Sequence, residues 1–311
     1  MSIAAKPIPG GLDGYRDQRS RWPGAAVLSD YWALTKPDVN FMILTTTFAG
    51  FYLGCAARLT DFPFLRLIHT LLGTLLVASG TGTLNQYIER RFDAQMRRTA
   101  RRPIAGGRLN PSAALWFGVA LSVTGSIYLA AAVNLLASLL AMATLLSYLF
   151  FYTPLKRKTP LCTLIGALPG AMPPLIGWAA ASGGLNVEAL ILFAVLFLWQ
   201  FPHFMAIAWM YREDYDRAGY LVLPRGRARF PVVALQTQLP LLALASLSLL
   251  PVFVGQPSTF YCMGASILSL GFLYYGTRFV LRRTNSAARQ LLIASIVYLP
   301  SLFGLMVLTG I

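Results

Sequence analysis

Asn85, Glu89 and Asp93 recur at four-residue intervals in NQYIERRFDAQMRRTARRP (85–103), a stretch with two acids and six arginines directly behind an apolar run. On an α-helix, four residues advance ~40° beyond a full turn, so the three side chains share one face. Two carboxylates at that interval repel by ~0.2–0.5 kcal/mol in water, and by more where solvent is scarce. A positive partner must therefore lie close, and the spacing leaves two open. Arg97, four residues beyond Asp93 in the favourable acid-to-base order, would make a surface ion-pair network. A divalent cation would make a metal–phosphate site, because Mg²⁺ favours one or two protein carboxylates completed by substrate phosphate oxygens.

Other charged loops repeat the mixture. Arg97, Arg98, Arg101 and Arg102 follow the acids, Lys156, Arg157 and Lys158 follow FYTPL, and YREDYDRAGYLVLPRGR sets Glu213, Asp214 and Asp216 among arginines. Of only 11 acids in the chain, five fall in the first and last of these loops. Arginines on phosphate oxygens and acids on a metal suit a magnesium–polyphosphate ligand. A basic patch for anionic lipid would gain nothing from the acids. The three cysteines have no metal-ligand spacing and read as core thiols. His203, in WQFPHF, is a packing residue or a ligand; His69 is assigned to packing or the membrane interface.

The elements that must position these groups are membrane helices. The 311 residues are 56% hydrophobic and 12% charged, with a net charge of +15. Such apolarity excludes a nucleic-acid binder and puts the cations at a bilayer surface. A bilayer core needs ~20 apolar residues per helix, which predicts nine spans: 39–57, 67–88, 112–133, 135–152, 161–182, 188–211, 231–254, 258–280 and 290–311. The fold class is an all-α integral membrane protein, with a tight hairpin near Asn134. Nine spans place 24 of the 26 lysines and arginines on one face, which predicts a cytoplasmic amino terminus and an outside carboxyl terminus. Residues 1–30 are expected to be a flexible polar tail without a cleavable signal, and 31–311 a single transmembrane domain. ALPGAMPPLIGW (167–178) breaks a span with prolines, which is tolerated where backbone faces protein or a cavity.

LTKP (34–37), LNQYIERRFDAQMRRTARRPIAGGRL (84–109), YTPLKRKTP (152–160), GALPGAMPPLIGWAA (166–180) and FPHFMAIAWMYREDYDRAG (201–219) occur in that order. Together they resemble the UbiA-type intramembrane prenyltransferases, and within them the protoheme IX farnesyltransferase branch, the haem O synthases. The resemblance runs from about Tyr31 to the end. It implies nine helices around a central cavity open to the cytoplasm, and transfer of farnesyl from farnesyl diphosphate to a vinyl group of haem B, with water added to give haem O. It further implies that Asn85, Glu89 and Asp93 form the first magnesium–diphosphate motif, with Glu89 and Asp93 on Mg²⁺. Arg97, Arg98, Arg102, Lys156 and Arg157 would grip diphosphate, and Asp214 would serve the second motif. Tyr211 and Tyr215 stand where the wider family often has two aspartates, and Asp38 stands where many relatives carry Arg and is left out of the site. His203 leans to a haem-facing role, and Trp199, Phe201 and Phe204 are candidates to line the prenyl cavity. The expected setting is a bacterial cytoplasmic (inner) membrane, with a terminal oxidase or later haem-modifying enzyme as candidate partner. Three rivals are a prenyltransferase for an aromatic or quinone precursor, an anion transporter, and an assembly protein. A transporter would more often show two matching halves of broken helices, which this sequence lacks, and an assembly protein would leave the acids without a purpose.

Overall fold

The computed structural model describes residues 23–55, 61–250 and 259–309, and every regular element among them is helical. Helix α1 (Pro23–Thr35) meets α2 (Pro37–Leu53) at Lys36, and α3 (Phe64–Asp93) carries the acid motif on its last two turns. After a turn-rich segment, α4 (Pro111–Ala132) and α5 (Leu135–Leu146) form the expected hairpin. Asn134 caps α5 by accepting the Ala137 N–H at 2.8 Å, and Asn110 and Asn186 cap their helices in the same way.

A π-helical stretch, Ser147–Tyr152, extends α5 into a last turn, Thr153–Leu155. Then come α6 (Cys162–Gly170), α7 (Met172–Ser182), α8 (Val187–Met210), the short α9 (Arg212–Arg217), α10 (Arg229–Leu247), α11 (Thr259–Arg282) and α12 (Asn285–Thr309). The break between α6 and α7 falls at Ala171, inside the proline-rich stretch.

Among the described residues, seven segments are long and apolar enough to cross a membrane: Phe64–Asp93, Pro111–Ala132, Leu135–Leu155, Cys162–Ser182, Val187–Met210, Arg229–Leu247 and Asn285–Thr309. The protein is an integral membrane protein. The remaining two expected spans are helices that fall short of that description, α2 with 17 residues and α11 with Gly, Ser and Tyr among its apolar ones. Helix α1 begins inside the segment expected to be tail, and beyond that segment its Tyr31 and Leu34 pack with Ile104, Leu109 and Phe117. Residues 1–22 of that tail lie outside the described residues.

Cys162–Ser182 is the most buried of the seven segments, as a broken helix in a bilayer has to be. Helix α7 divides two cores. Leu175 and Trp178 join Trp199, Tyr261 and Tyr298, whereas Ile176 and Ala180 join Phe51, Leu67 and Leu129. Helices α2 and α7 touch backbone to backbone: a methyl group on Gly50 would strike the Pro174 carbonyl, and one on Gly177 the Thr47 carbonyl. Small residues permit that approach, which drives helix association where lipid offers no hydrophobic gain.

Candidate active site

Asn85, Glu89 and Asp93 are buried on one face at the end of α3, with 1%, 6% and 1% of their surfaces exposed. Their partners arrive from three other segments. Lys36 Nζ donates to Asn85 Oδ1 at 3.1 Å, Lys156 Nζ to Glu89 Oε1 at 2.9 Å, and Arg102 Nη1 to both Asp93 oxygens at 2.9 and 2.8 Å. Asn85 Nδ2 donates to Glu89 Oε2 at 3.0 Å and to Thr153 Oγ1 at 3.3 Å. The Tyr220 hydroxyl donates to Glu89 Oε1 at 2.9 Å. Buried carboxylates are tolerated only when paired and hydrogen-bonded, and these are.

The local chain explains each arrival. Lys36 has φ 55° and ψ 63°, the left-handed region, at a position where the following proline disfavours the right-handed helical one. That conformation costs a non-glycine residue ~1–2 kcal/mol and is retained where neighbours over-determine it. Gln86 supplies that hold by donating to the Leu34 carbonyl at 3.1 Å. The π-helical stretch before Lys156 presents Tyr148 and Tyr152, whose rings lie 5.7 and 4.5 Å from its ammonium. Such π-turns recur at functional sites.

Arg97 is not Asp93's partner. Helix α3 ends at Asp93, so the four-residue relation that would have brought Arg97 alongside is lost, and the turns that follow deliver Arg102 instead.

The site's electrostatics follow from this crowding. Burial, with the Arg102 and Lys156 charges, pushes Lys36 down to about 7 against the pull of Glu89 and Asp93. Burial acts the same way on Lys156, but the Glu89 carboxylate prevails and holds its ammonium well above the usual range. Burial and Glu89 together raise the Tyr220 phenol, which therefore stays protonated as a donor.

The other expected residues lie around this centre. Asp214 is buried on α9, where Oδ2 accepts the Arg98 backbone N–H at 3.2 Å and Oδ1 lies 3.3 Å from Arg217. It clips the two acid loops together and makes no contact with Glu89 or Asp93. Arg98 lies over the Tyr211 ring at 4.9 Å and Arg157 over Phe92 at 4.1 Å. Arg97 and Arg98, with Met210, Tyr211, Glu213 and Asp214, line an open depression of about 420 Å³. Asp216 pairs with Arg229 at 2.8 Å.

His203 Nδ1 lies 2.7 Å from Ser295 Oγ, and its ring stacks on Trp199 at 4.6 Å. With the Ser295 hydroxyl donating to the Leu292 carbonyl, the contact suits the tautomer protonated at Nδ1, which would leave Nε2 a lone pair. His69 packs as expected, 2.6 Å from the Tyr128 hydroxyl.

Sequence reasoning missed Lys36, Tyr220 and Thr153. A charge wedged before a helix-opening proline in LTKP was the one signal for Lys36; Thr153 lies in YTPLKRKTP and Tyr220 in YREDYDRAGYLVLPRGR, where nothing local singles out either one.

Among the described residues, no three His, Cys, Asp or Glu side chains gather to cage a metal. Two carboxylates and an amide fit Mg²⁺, which keeps waters and substrate phosphates among its ligands. Glu89 and Asp93 would hold it.

Known proteins resemble this chain in sequence and in fold. Residues 43–299 match the model of the UbiA prenyltransferase family. The chain is 49% identical over 287 residues to a protoheme IX farnesyltransferase of Solibacter usitatus, covering 90% of this chain and 98% of that one. It is 38% identical to one of Aquifex aeolicus, covering 91% and 96%. Among solved structures, a digeranylgeranylglyceryl phosphate synthase superposes with a TM-score of 0.72 at 16% identity, covering 91% and 98%. A UbiA homologue from Archaeoglobus fulgidus bound to GPP and Mg²⁺ gives 0.60 at 15%, covering 89% and 99%. The chain belongs to the UbiA prenyltransferase family.

Proposed function

We infer that this chain transfers the farnesyl group of farnesyl diphosphate to a vinyl group of haem B, giving haem O and diphosphate. The observation that carries the reaction class is the convergence of Lys36, Arg102 and Lys156, from three separate segments, on Asn85, Glu89 and Asp93. The acceptor rests on the protoheme IX farnesyltransferases that this sequence matches along nearly its whole length.

The allylic C–O bond of farnesyl diphosphate breaks, and farnesyl C1 bonds to the terminal vinyl carbon. Water adds its hydroxyl to the other vinyl carbon and loses a proton. Mg²⁺, when bound, neutralises charge on the departing diphosphate. Asn85 orients the diphosphate, and Lys36, Arg102 and Lys156 balance the charge that develops on it. Arg97, Arg98 and Arg157, exposed around the centre, attract and hold the anion at the mouth. Asp214 keeps the two acid loops in register. Trp199, Phe201 and Phe204 present ring faces that favour an allylic cation. His203 is the haem-binding residue, and its imidazole would hold the haem iron.

The setting is a bacterial cytoplasmic membrane, spanned nine times with α2 and α11 included, the amino terminus cytoplasmic and the carboxyl terminus outside. A terminal oxidase or haem-modifying enzyme would take the product. Membranes containing the protein, supplied with farnesyl diphosphate, Mg²⁺ and haem B, should yield haem O by mass. Prenylation of an aromatic or quinone precursor, with no haem O, would overturn the acceptor assignment.

A further inference from the structure

The oxygens of the acid motif are covered by the protein's own donors. Lys36 covers Asn85 Oδ1, Lys156 and Tyr220 cover Glu89 Oε1, Asn85 covers Glu89 Oε2, and Arg102 covers both oxygens of Asp93. These donors are of two kinds. Lys36, Lys156 and Arg102 are cations on long, flexible stems, reaching in from segments outside α3. Tyr220 is a neutral phenol with 3% of its surface exposed, and its ring meets Phe92 and Tyr215 edge-on, each at 6.0 Å. The next residue is tied down as well, since the Leu221 N–H donates to the Lys156 carbonyl at 2.7 Å.

A second cation cannot approach oxygens that ammonium and guanidinium groups already hold. A diphosphate offers those same groups a more highly charged acceptor, and their stems are long enough to swing while the backbone stays in place. On the metal–diphosphate reading above, we infer that Lys36, Lys156 and Arg102 are stand-in cations, which leave the acid motif for the diphosphate and so open it to the metal. Tyr220 is the positioning residue: it has no charge to follow the diphosphate, and it keeps Glu89 aimed when Lys156 leaves. Metal and diphosphate therefore bind together, each raising the other's affinity by the same factor.

The test measures Mn²⁺ held by the purified full chain in detergent, by equilibrium dialysis at fixed free Mn²⁺, with and without inorganic pyrophosphate. Wild type should hold metal weakly alone and at least ~10-fold more tightly with pyrophosphate, within the usual range of linkage. Lys156→Met should bind Mn²⁺ alone more tightly than wild type and lose most of the pyrophosphate enhancement. Arg102→Met should do the same through Asp93, which keeps the test alive if one variant does not fold. Tyr220→Phe should weaken metal binding in the presence of pyrophosphate while leaving the elution profile and melting temperature unchanged.

Equal wild-type affinity with and without pyrophosphate would overturn the exchange. So would a folded Lys156→Met or Arg102→Met protein that gains no affinity for metal alone. A Tyr220→Phe protein that binds like wild type would overturn the positioning role. Haem O formation is scored separately: its absence alongside intact linkage overturns the acceptor assignment and leaves this exchange standing.

Discussion

Arg102 holds Asp93 through a single guanidinium nitrogen shared between both carboxylate oxygens, at 2.9 and 2.8 Å, across a chain turn beyond the end of α3. The acid is 1% exposed, so its charge is fully engaged by what reaches it. What reaches it is arginine.

Asp93→Asn and Glu89→Gln keep the shape of the site and remove the charge. Each should lower haem O formation by ~100-fold or more, the scale on which charged transition states depend on preset groups. Product mass per unit of inserted protein, quantified by immunoblot, checks this. Near-normal turnover in both would remove the acids from the reaction.

Lys36, pushed down to about 7, should make diphosphate binding depend on pH. Its folded value lies below the unfolded one, so between about pH 7 and 10.5 the unfolded chain holds more protons, and this group's contribution to stability rises with pH. Binding runs the other way, because the diphosphate needs the ammonium. Pyrophosphate affinity should fall ~10-fold from pH 6 to pH 8, as the protonated fraction of a group titrating near 7 does. Lys36→Arg should flatten that part of the profile. Calorimetry at three pH values, with wild type and variant side by side, separates it from titration of pyrophosphate itself.

Removing the imidazole in His203→Ala should weaken haem B binding and shift its Soret band, with pyrophosphate affinity unchanged. Ser295→Ala, which removes the hydroxyl beside Nδ1 and keeps the imidazole, should have a smaller effect in the same direction. An unaltered haem spectrum in His203→Ala would return this residue to packing.

Gly177→Ala should destabilise the fold without touching the site. The added methyl meets the Thr47 carbonyl and the Phe51 backbone nitrogen, and forcing two helices apart costs ~1–3 kcal/mol. A lower melting temperature in detergent, with residual activity in the folded fraction, is the expected result.

Several features were legible from residue order alone. The four-residue rhythm of Asn85, Glu89 and Asp93 required one helical face, because helix geometry is local. The prolines in 167–178 marked an interrupted span, because proline acts on its own turn, and the structure puts the break at Ala171. Apolar runs of bilayer length marked the spans, and Asn134 marked the hairpin, because a side chain that caps a helix does so from the adjacent position. Partners across the fold were another matter. Where α3 stops decides that Arg102, and not Arg97, reaches Asp93, and helix ends depend on packing as well as propensity. Lys36 is 49 positions from Asn85, and Tyr220 is 131 from Glu89. No periodicity spans such distances. Only the docking of α1, the π-helical stretch and the second acid loop against the end of α3 brings these donors onto the oxygens they cover. Residue order names the groups that can do the chemistry and the helix face on which the acids lie. Tertiary structure decided which cations neutralise them, since burial makes pairing compulsory while the backbone's path selects the partner.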